Sequence, residues 1–250
     1  ARQYLKENPA SAAKLEAMAT GAGPATGGYA PGAVSGSGSG PGSSAESRAD
    51  AAADGEGRLR LMLGDAEVRI DAEGCNADTA TLQRCTGGAR VSVASGGVTR
   101  ELRVDSLYLN SRATAYRGPL DDPADRAGRS IVIVDIDRDG REDIALWTGT
   151  RGANGAASYD VYRAAADGYR RDAALSALTE GANGLFTLDD GRLVRMSKSG
   201  CCLHTTARYE WRDGRPLLVE EVVEDTTAGR ASPVVTTRRR IDGRMQTVAP

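Results

Sequence analysis

The sequence predicts an all-β fold, a small propeller-like domain of successive antiparallel hairpins, with a β-sandwich as the alternative packing of the same hairpins. Three observations point there. Apolar residues come in short runs cut by turn residues; Asp-Gly pairs recur at Asp139, Asp167, Asp190, Asp213 and Asp242; and only 173–178 has a helical texture in that region. Asp-Gly favours the positive φ angles of tight hairpin turns. Its intervals of 28, 23, 23 and 29 residues therefore mean hairpin after hairpin.

Strand candidates follow in order at 59–70, 91–94, 98–109, 130–136, 144–148, 159–164, 193–196, 207–211, 216–223 and 234–237. Leu102 and Val104 alternate with polar neighbours, as in a half-buried strand. The run Ile131-Val132-Ile133-Val134 is apolar at every position, which predicts a strand covered on both faces. Before this region, 1–19 reads as a short helix, with Asn8 as cap and Pro9 in the first turn. Residues 20–57 are mostly Gly, Ser, Ala and Pro and cannot bury enough surface to offset backbone entropy. They are expected to be a flexible, disordered linker, leaving 58–250 as the folded β domain.

Composition removes several functions. Lys and Arg number 32 against 34 Asp and Glu, a net charge of -2, so no electrostatic footprint for nucleic acid is present. No apolar run is long enough for a membrane-spanning helix. The single histidine, His204, excludes multi-histidine zinc sites and histidine relays. With one Phe and two Trp, the core is built mainly from Val, Leu and Ile. The expectation is a protein that is not an enzyme.

The sharpest motif is Asp135-Ile136-Asp137-Arg138-Asp139-Gly140-Arg141-Glu142-Asp143, between two apolar strands. Ca²⁺ takes six to eight hard oxygen ligands, and carboxylates at positions 1, 3, 5 and 9 with a carbonyl at 7 supply them. The expected ligands are Asp135, Asp137, Asp139 and Asp143, with the carbonyl of Arg141; Gly140 makes the sharp turn and Glu142 faces solvent. Leu146 occupies the place where a helical EF-hand needs its bidentate Glu. This is therefore a strand-loop-strand version, similar to the calcium loops of integrin-type propellers.

Cys75 and Cys85 bracket a polar loop, and a disulfide between them would remove roughly 3 kcal/mol of unfolded-chain entropy in the loop-closure account. That is the expected pairing. Adjacent Cys201 and Cys202 leave open a vicinal disulfide or other partners. After the acidic loop comes a small, Gly-rich stretch, 149–159, leading into Asp160-Val161-Tyr162. Such a loop, braced at its base, presents backbone groups to a partner; Asn154, Gly155, Ser158 and Tyr159 are the expected contacts, with Tyr159 as anchor.

Taken together, the DxDxDGxxD strand loop, the Gly-rich loop, Ser158-Tyr159-Asp160-Val161-Tyr162, Leu175-Ser176-Ala177-Leu178-Thr179 and Ser199-Gly200-Cys201-Cys202-Leu203-His204 resemble one bacterial family. These are the periplasmic immunity proteins of the antibacterial type IV secretion system of xanthomonads, similar in turn to inhibitors of invertebrate-type lysozyme. The resemblance covers roughly 130–224. It implies a calcium-containing propeller-like domain that blocks a peptidoglycan hydrolase effector by loop insertion, a periplasmic location and a lipid anchor in the full precursor. Family members often carry Asn at the second ligand position, where this chain has Asp137. The alternative function is a calcium-stabilised adhesion or carbohydrate-binding module.

Overall fold

The structure, a computed structural model, describes residues 47–49, 53–54, 57–121, 128–227 and 233–248. The helix expected at 1–19 lies outside the described residues, as does most of the expected linker. Within the described part of that linker, Ser47–Ala49 forms a strand, β1. The expected boundary at 58 thus falls too late, because pairing at a sheet edge uses backbone groups and needs no apolar side chain.

Nineteen strands, numbered in chain order, and one α-helix occur among the described residues, arranged in four sheets. The first sheet joins β2 (Arg58–Leu63), β3 (Ala66–Ala72), β6 (Ala89–Ser95) and β7 (Val98–Val104), all antiparallel. A small second sheet contains β4 (Cys75–Ala77), β5 (Leu82–Cys85) and β8 (Leu107–Asn110). The third runs in the order β1, β9 (Ala115–Arg117), β10 (Ile131–Val134), β11 (Asp143–Gly149), β12 (Ser158–Ala165) and β13 (Gly168–Arg171). Its β9 and β10 are parallel, and every other pair is antiparallel. The fourth is a plain meander of β14 (Thr187–Asp189), β15 (Arg192–Ser199), β16 (Leu203–Arg212), β17 (Arg215–Asp225), β18 (Val234–Ile241) and β19 (Arg244–Val248). The fold is all-β, built of successive antiparallel hairpins.

Turn chemistry explains the meander. Asp190, Asp213 and Asp242 take φ of 47°, 51° and 49°, each followed by a glycine that is also at positive φ. Two consecutive left-handed residues make the tight turn whose twist matches paired strands. The 59–70 segment is two strands rather than one, because Gly64 at φ 63° and Asp65 turn the chain. The 98–109 segment likewise divides at Asp105 and Ser106 between two sheets.

The third sheet lies between the two apolar layers of the described residues. All of β10 and β11 is buried. One face, with Ile131, Ile133, Ile144 and Leu146, packs on the first sheet, while Val132, Val134, Trp147 and Tyr159 pack on the other side with Phe186 and Leu193. Helix α1 (Ala173–Thr179) covers β12 and is capped by Asp172, whose Oδ1 accepts from the Leu175 amide at 3.0 Å. Cys75 is disulfide-bonded to Cys85 and Cys201 to Cys202.

Candidate metal centre and the loop beside it

The acidic loop joins β10 to β11, so both ends are rooted in strands that are buried along their whole length. Ile136 and Asp143 are its inner fixed points, 0% and 1% exposed. Asp143 opens β11, and its carboxylate accepts from the amides of Ile136 at 3.0 Å and Ala164 at 2.8 Å. Asp135 accepts from the amides of Asp139 and Gly140, at 3.1 and 2.9 Å, which folds the loop back on itself. Arg138 at φ 61° and Gly140 at φ 84° make that reversal possible.

Three of the expected ligands converge: carboxylate oxygens of Asp135, Asp137 and Asp143 lie within 4.8 Å of one another. Asp139 is turned onto the Arg141 guanidinium, with Nε to Oδ2 at 3.0 Å, and that pairing holds its carboxyl below the usual range. Burial pushes Asp143 the other way, up to about 7, against the pull of its two amide donors and reinforced by the charges of Asp137 and Asp135. The cluster thus gathers hard anionic oxygens at a place where ionisation is costly without a counter-charge. An all-oxygen donor set of this kind fits a divalent cation of the Ca²⁺ type.

Two neighbouring pairs escape the sequence pattern. Arg163 on β12 donates to Asp137 at 2.8 Å and also pairs with Asp172, the cap of α1, at 3.0 Å. It links the acidic loop to the helix. Glu142 is only partly exposed rather than free in solvent: Arg117 grips it through Nε at 2.6 Å and Nη2 at 3.0 Å. Arg117 also pairs with Asp65, so the back of the loop is tied to the β2–β3 turn. Both contacts are long-range, and a charge alternating along a strand gives no sign of its partner.

The Gly-rich loop from Gly149 to Ser158 leaves the far end of β11. Gly152 is required there, because a Cβ would lie 2.5 Å from the Ala156 carbonyl oxygen and 2.7 Å from that of Ala182. The loop is pinned by hydrogen bonds from the Ala153 amide to the Ala182 carbonyl, 2.7 Å, and from the Gly181 amide to the Arg151 carbonyl, 2.8 Å. Its tip is a short turn with Asn154 at φ 54° and Gly155 at φ 79°. Asn154 and Gly155 are exposed.

Ser158 and Tyr159 are not. Both are 0% exposed, and the Tyr159 hydroxyl donates to the Arg129 carbonyl at 2.9 Å. The reason lies in β12, which is covered on both faces, so that its aromatic residues point into the core. Ser158 has a different job: its Oγ accepts from the Arg151 amide at 3.2 Å and closes the loop's base. The Ser176 and Thr179 hydroxyls of α1 accept from the amides of Val161 and Tyr159, each at 2.9 Å. That explains why the Leu175–Thr179 motif accompanies the loop. Cys201 and Cys202 stand at the β15–β16 turn, and their bond to one another removes both thiols from any chemistry with His204.

Acidic loop, pinned loop and antiparallel hairpin sheets together define an all-β domain of successive hairpins. The structure is similar to a solved Xanthomonas type IV secretion system related protein, with a TM-score of 0.76 and 33% sequence identity over 82% of this chain and 100% of that one. At that identity and coverage, the chain belongs to the same family as the Xanthomonas protein. No protein-family model matches the chain, and no curated protein matches it.

Proposed function

We propose that the protein is an immunity protein, which binds a lysozyme-like peptidoglycan glycosidase and blocks its active-site cleft with the tip of the 149–158 loop. The observation that carries this reading is the construction of the loop. Its base is fixed by Ser158, Gly181 and Ala182, while its exposed tip, Asn154 and Gly155, offers backbone groups with little side-chain bulk. A preorganised loop loses little entropy on entering a narrow groove. Kinship with a type IV secretion system related protein supports the setting of bacterial competition. The two disulfides suit an oxidising compartment such as the periplasm.

Ca²⁺ in this reading is structural. Asp135, Asp137 and Asp143 hold it, Asp139 joins them on leaving Arg141, and the Arg141 carbonyl is the further ligand. Its charge would neutralise the converging carboxylates and stiffen the hairpin whose second strand, β11, feeds the loop. Inhibition needs no catalytic group from this chain.

The test measures residual peptidoglycan hydrolysis by the cognate hydrolase with wild type, Asn154→Ala and Gly155→Asp, each checked for an unchanged melting temperature. Wild type should inhibit, and Gly155→Asp should weaken inhibition by about tenfold or more, since a new side chain is set at the centre of the contact. Equal inhibition by all three would move the active surface away from this loop. The absence of inhibition by wild type would end the immunity reading.

A further inference from the structure

A second polar site lies on the other side of the loop's base. Between the end of β7, the Asp105 and Ser106 link, the end of β11 and the paired β12 and β13 there is an open cavity of about 620 Å³. Its walls carry three guanidiniums, from Arg103, Arg151 and Arg171, against two carboxylates, Asp105 and Asp160. Two of the guanidiniums are already in ion pairs, Arg171 with Asp160 and Arg151 with Glu180 outside the wall, which leaves Arg103 and Asp105 as the charged groups open to a ligand.

The partners of these groups sharpen the count. Arg171 places both Nε and Nη2 on one oxygen of Asp160, at 3.0 and 2.6 Å, leaving that carboxylate's second oxygen without a hydrogen-bond partner among the described residues. Arg151 pairs outward with Glu180 at 3.0 Å. Arg103 has no ion-pair partner among the described residues. In the wall, the Thr148 hydroxyl is buried with no hydrogen-bond partner among the described residues, while the Ser106 hydroxyl donates to the Thr148 carbonyl at 2.9 Å. Tyr162 lies between the charged groups with its ring buried, and burial holds its hydroxyl protonated, as a donor.

A bare inorganic anion would leave most of this volume empty. An apolar ligand would strand the guanidiniums and carboxylates that line it. What matches is a molecule with one oxyanion for Arg103 and several hydroxyls that donate to Asp105 and Asp160 and accept from Tyr162 and the remaining guanidinium N–H groups. The volume falls in the range of ordinary small-ligand sites.

We propose that this cavity binds a carboxylated sugar, with the carboxylate on Arg103 and the sugar hydroxyls on Asp105, Asp160 and Tyr162. The site is separate from the acidic loop and from the loop tip, and it stands or falls independently of the immunity reading.

The experiment is a calorimetric titration of the full chain, with calcium present and at low salt, using D-glucuronate, D-glucose and acetate as probes. Glucuronate should bind, and glucose and acetate should each bind about tenfold more weakly or not at all, since each lacks one half of the recognition. Arg103→Gln, an exposed substitution that leaves the fold intact, should weaken glucuronate by about tenfold or more. Acetate binding as tightly as glucuronate would overturn the sugar and reduce the site to a carboxylate socket. No glucuronate binding by wild type, or equal binding by wild type and Arg103→Gln, would overturn the proposal altogether.

Discussion

The third and fourth sheets contain the same number of strands and are held in different ways. In the third, β10 and β11 are buried along their whole length between two apolar layers. In the fourth, β17 is half-exposed over most of its length and β18 is mainly exposed, so that neither strand has a buried face. What holds the outer strands is backbone pairing and cross-strand charge: Arg208 and Arg239 converge on Glu220 at 2.6 and 2.7 Å, and Arg238 reaches Glu221 at 3.2 Å. The difference teaches where a site can be built. A loop of repelling carboxylates is tolerated where its roots are fixed by packing, and the acidic loop is rooted in the third sheet.

The largest expected effect breaks that contrast directly. Ile144→Ala, at a position 0% exposed beside Asp143, should cost about 2 to 5 kcal/mol in urea unfolding. Val222→Ala, half-exposed in β17, should cost well under half as much, because solvent already covers part of the side chain. Equal losses would mean that the fourth sheet is packed by more than its own strands.

Calcium should come next. At a hundred times its dissociation constant it should raise the stability of the fold by about 2.7 kcal/mol, read as a higher melting temperature than in chelator. Asp137→Ala should erase that difference, whereas Val222→Ala should keep it. An identical melting curve for wild type with calcium and with chelator would remove the metal from the account.

Asp143 gives the same site a pH signature. Its carboxyl is raised from 3.8 to about 7 by burial, so the folded chain binds the proton more tightly than the unfolded chain. The stability linked to that proton is fully present below about pH 4 and is lost as pH rises through about 7. In chelator, stability should therefore contain a component that falls between those values and that Asp143→Asn removes. Calcium, which binds the ionised form, should oppose the fall. A chelated wild type and Asp143→Asn with the same pH dependence would show that Asp143 is not the group responsible.

The smallest effect belongs to the outer sheet. Glu220→Gln breaks two partly exposed ion pairs and should cost only about 0 to 1 kcal/mol, shrinking further in high salt. A loss of several kcal/mol would show that charge, rather than backbone pairing, holds β16 to β18 together.

Much of this architecture is legible in the sequence because turn chemistry is local. Asp190, Asp213 and Asp242 each announce a hairpin, and the unbroken Ile131-Val132-Ile133-Val134 run announces burial on both faces. The division of 98–109 at Asp105 and Ser106 is not legible, since neither Gly nor Pro marks it. The convergence of Asp135, Asp137 and Asp143 follows from their spacing, whereas the diversion of Asp139 depends on where the Arg141 side chain folds. Tyr159 misleads for a physical reason. Alternation separates inside from outside only when one face of a strand meets solvent, and β12 has cover on both. Arg163, Arg117 and the cavity around Arg103 depend on contacts between distant segments, which no local pattern encodes.

The most direct measurement of the central proposal is peptidoglycan hydrolysis by the proposed lysozyme-like target, followed with an equimolar amount of this protein in calcium and again in chelator. The account predicts strong inhibition in calcium that weakens in chelator as the hairpin behind the 149–158 loop loses its brace. Hydrolysis at the uninhibited rate in calcium would contradict it.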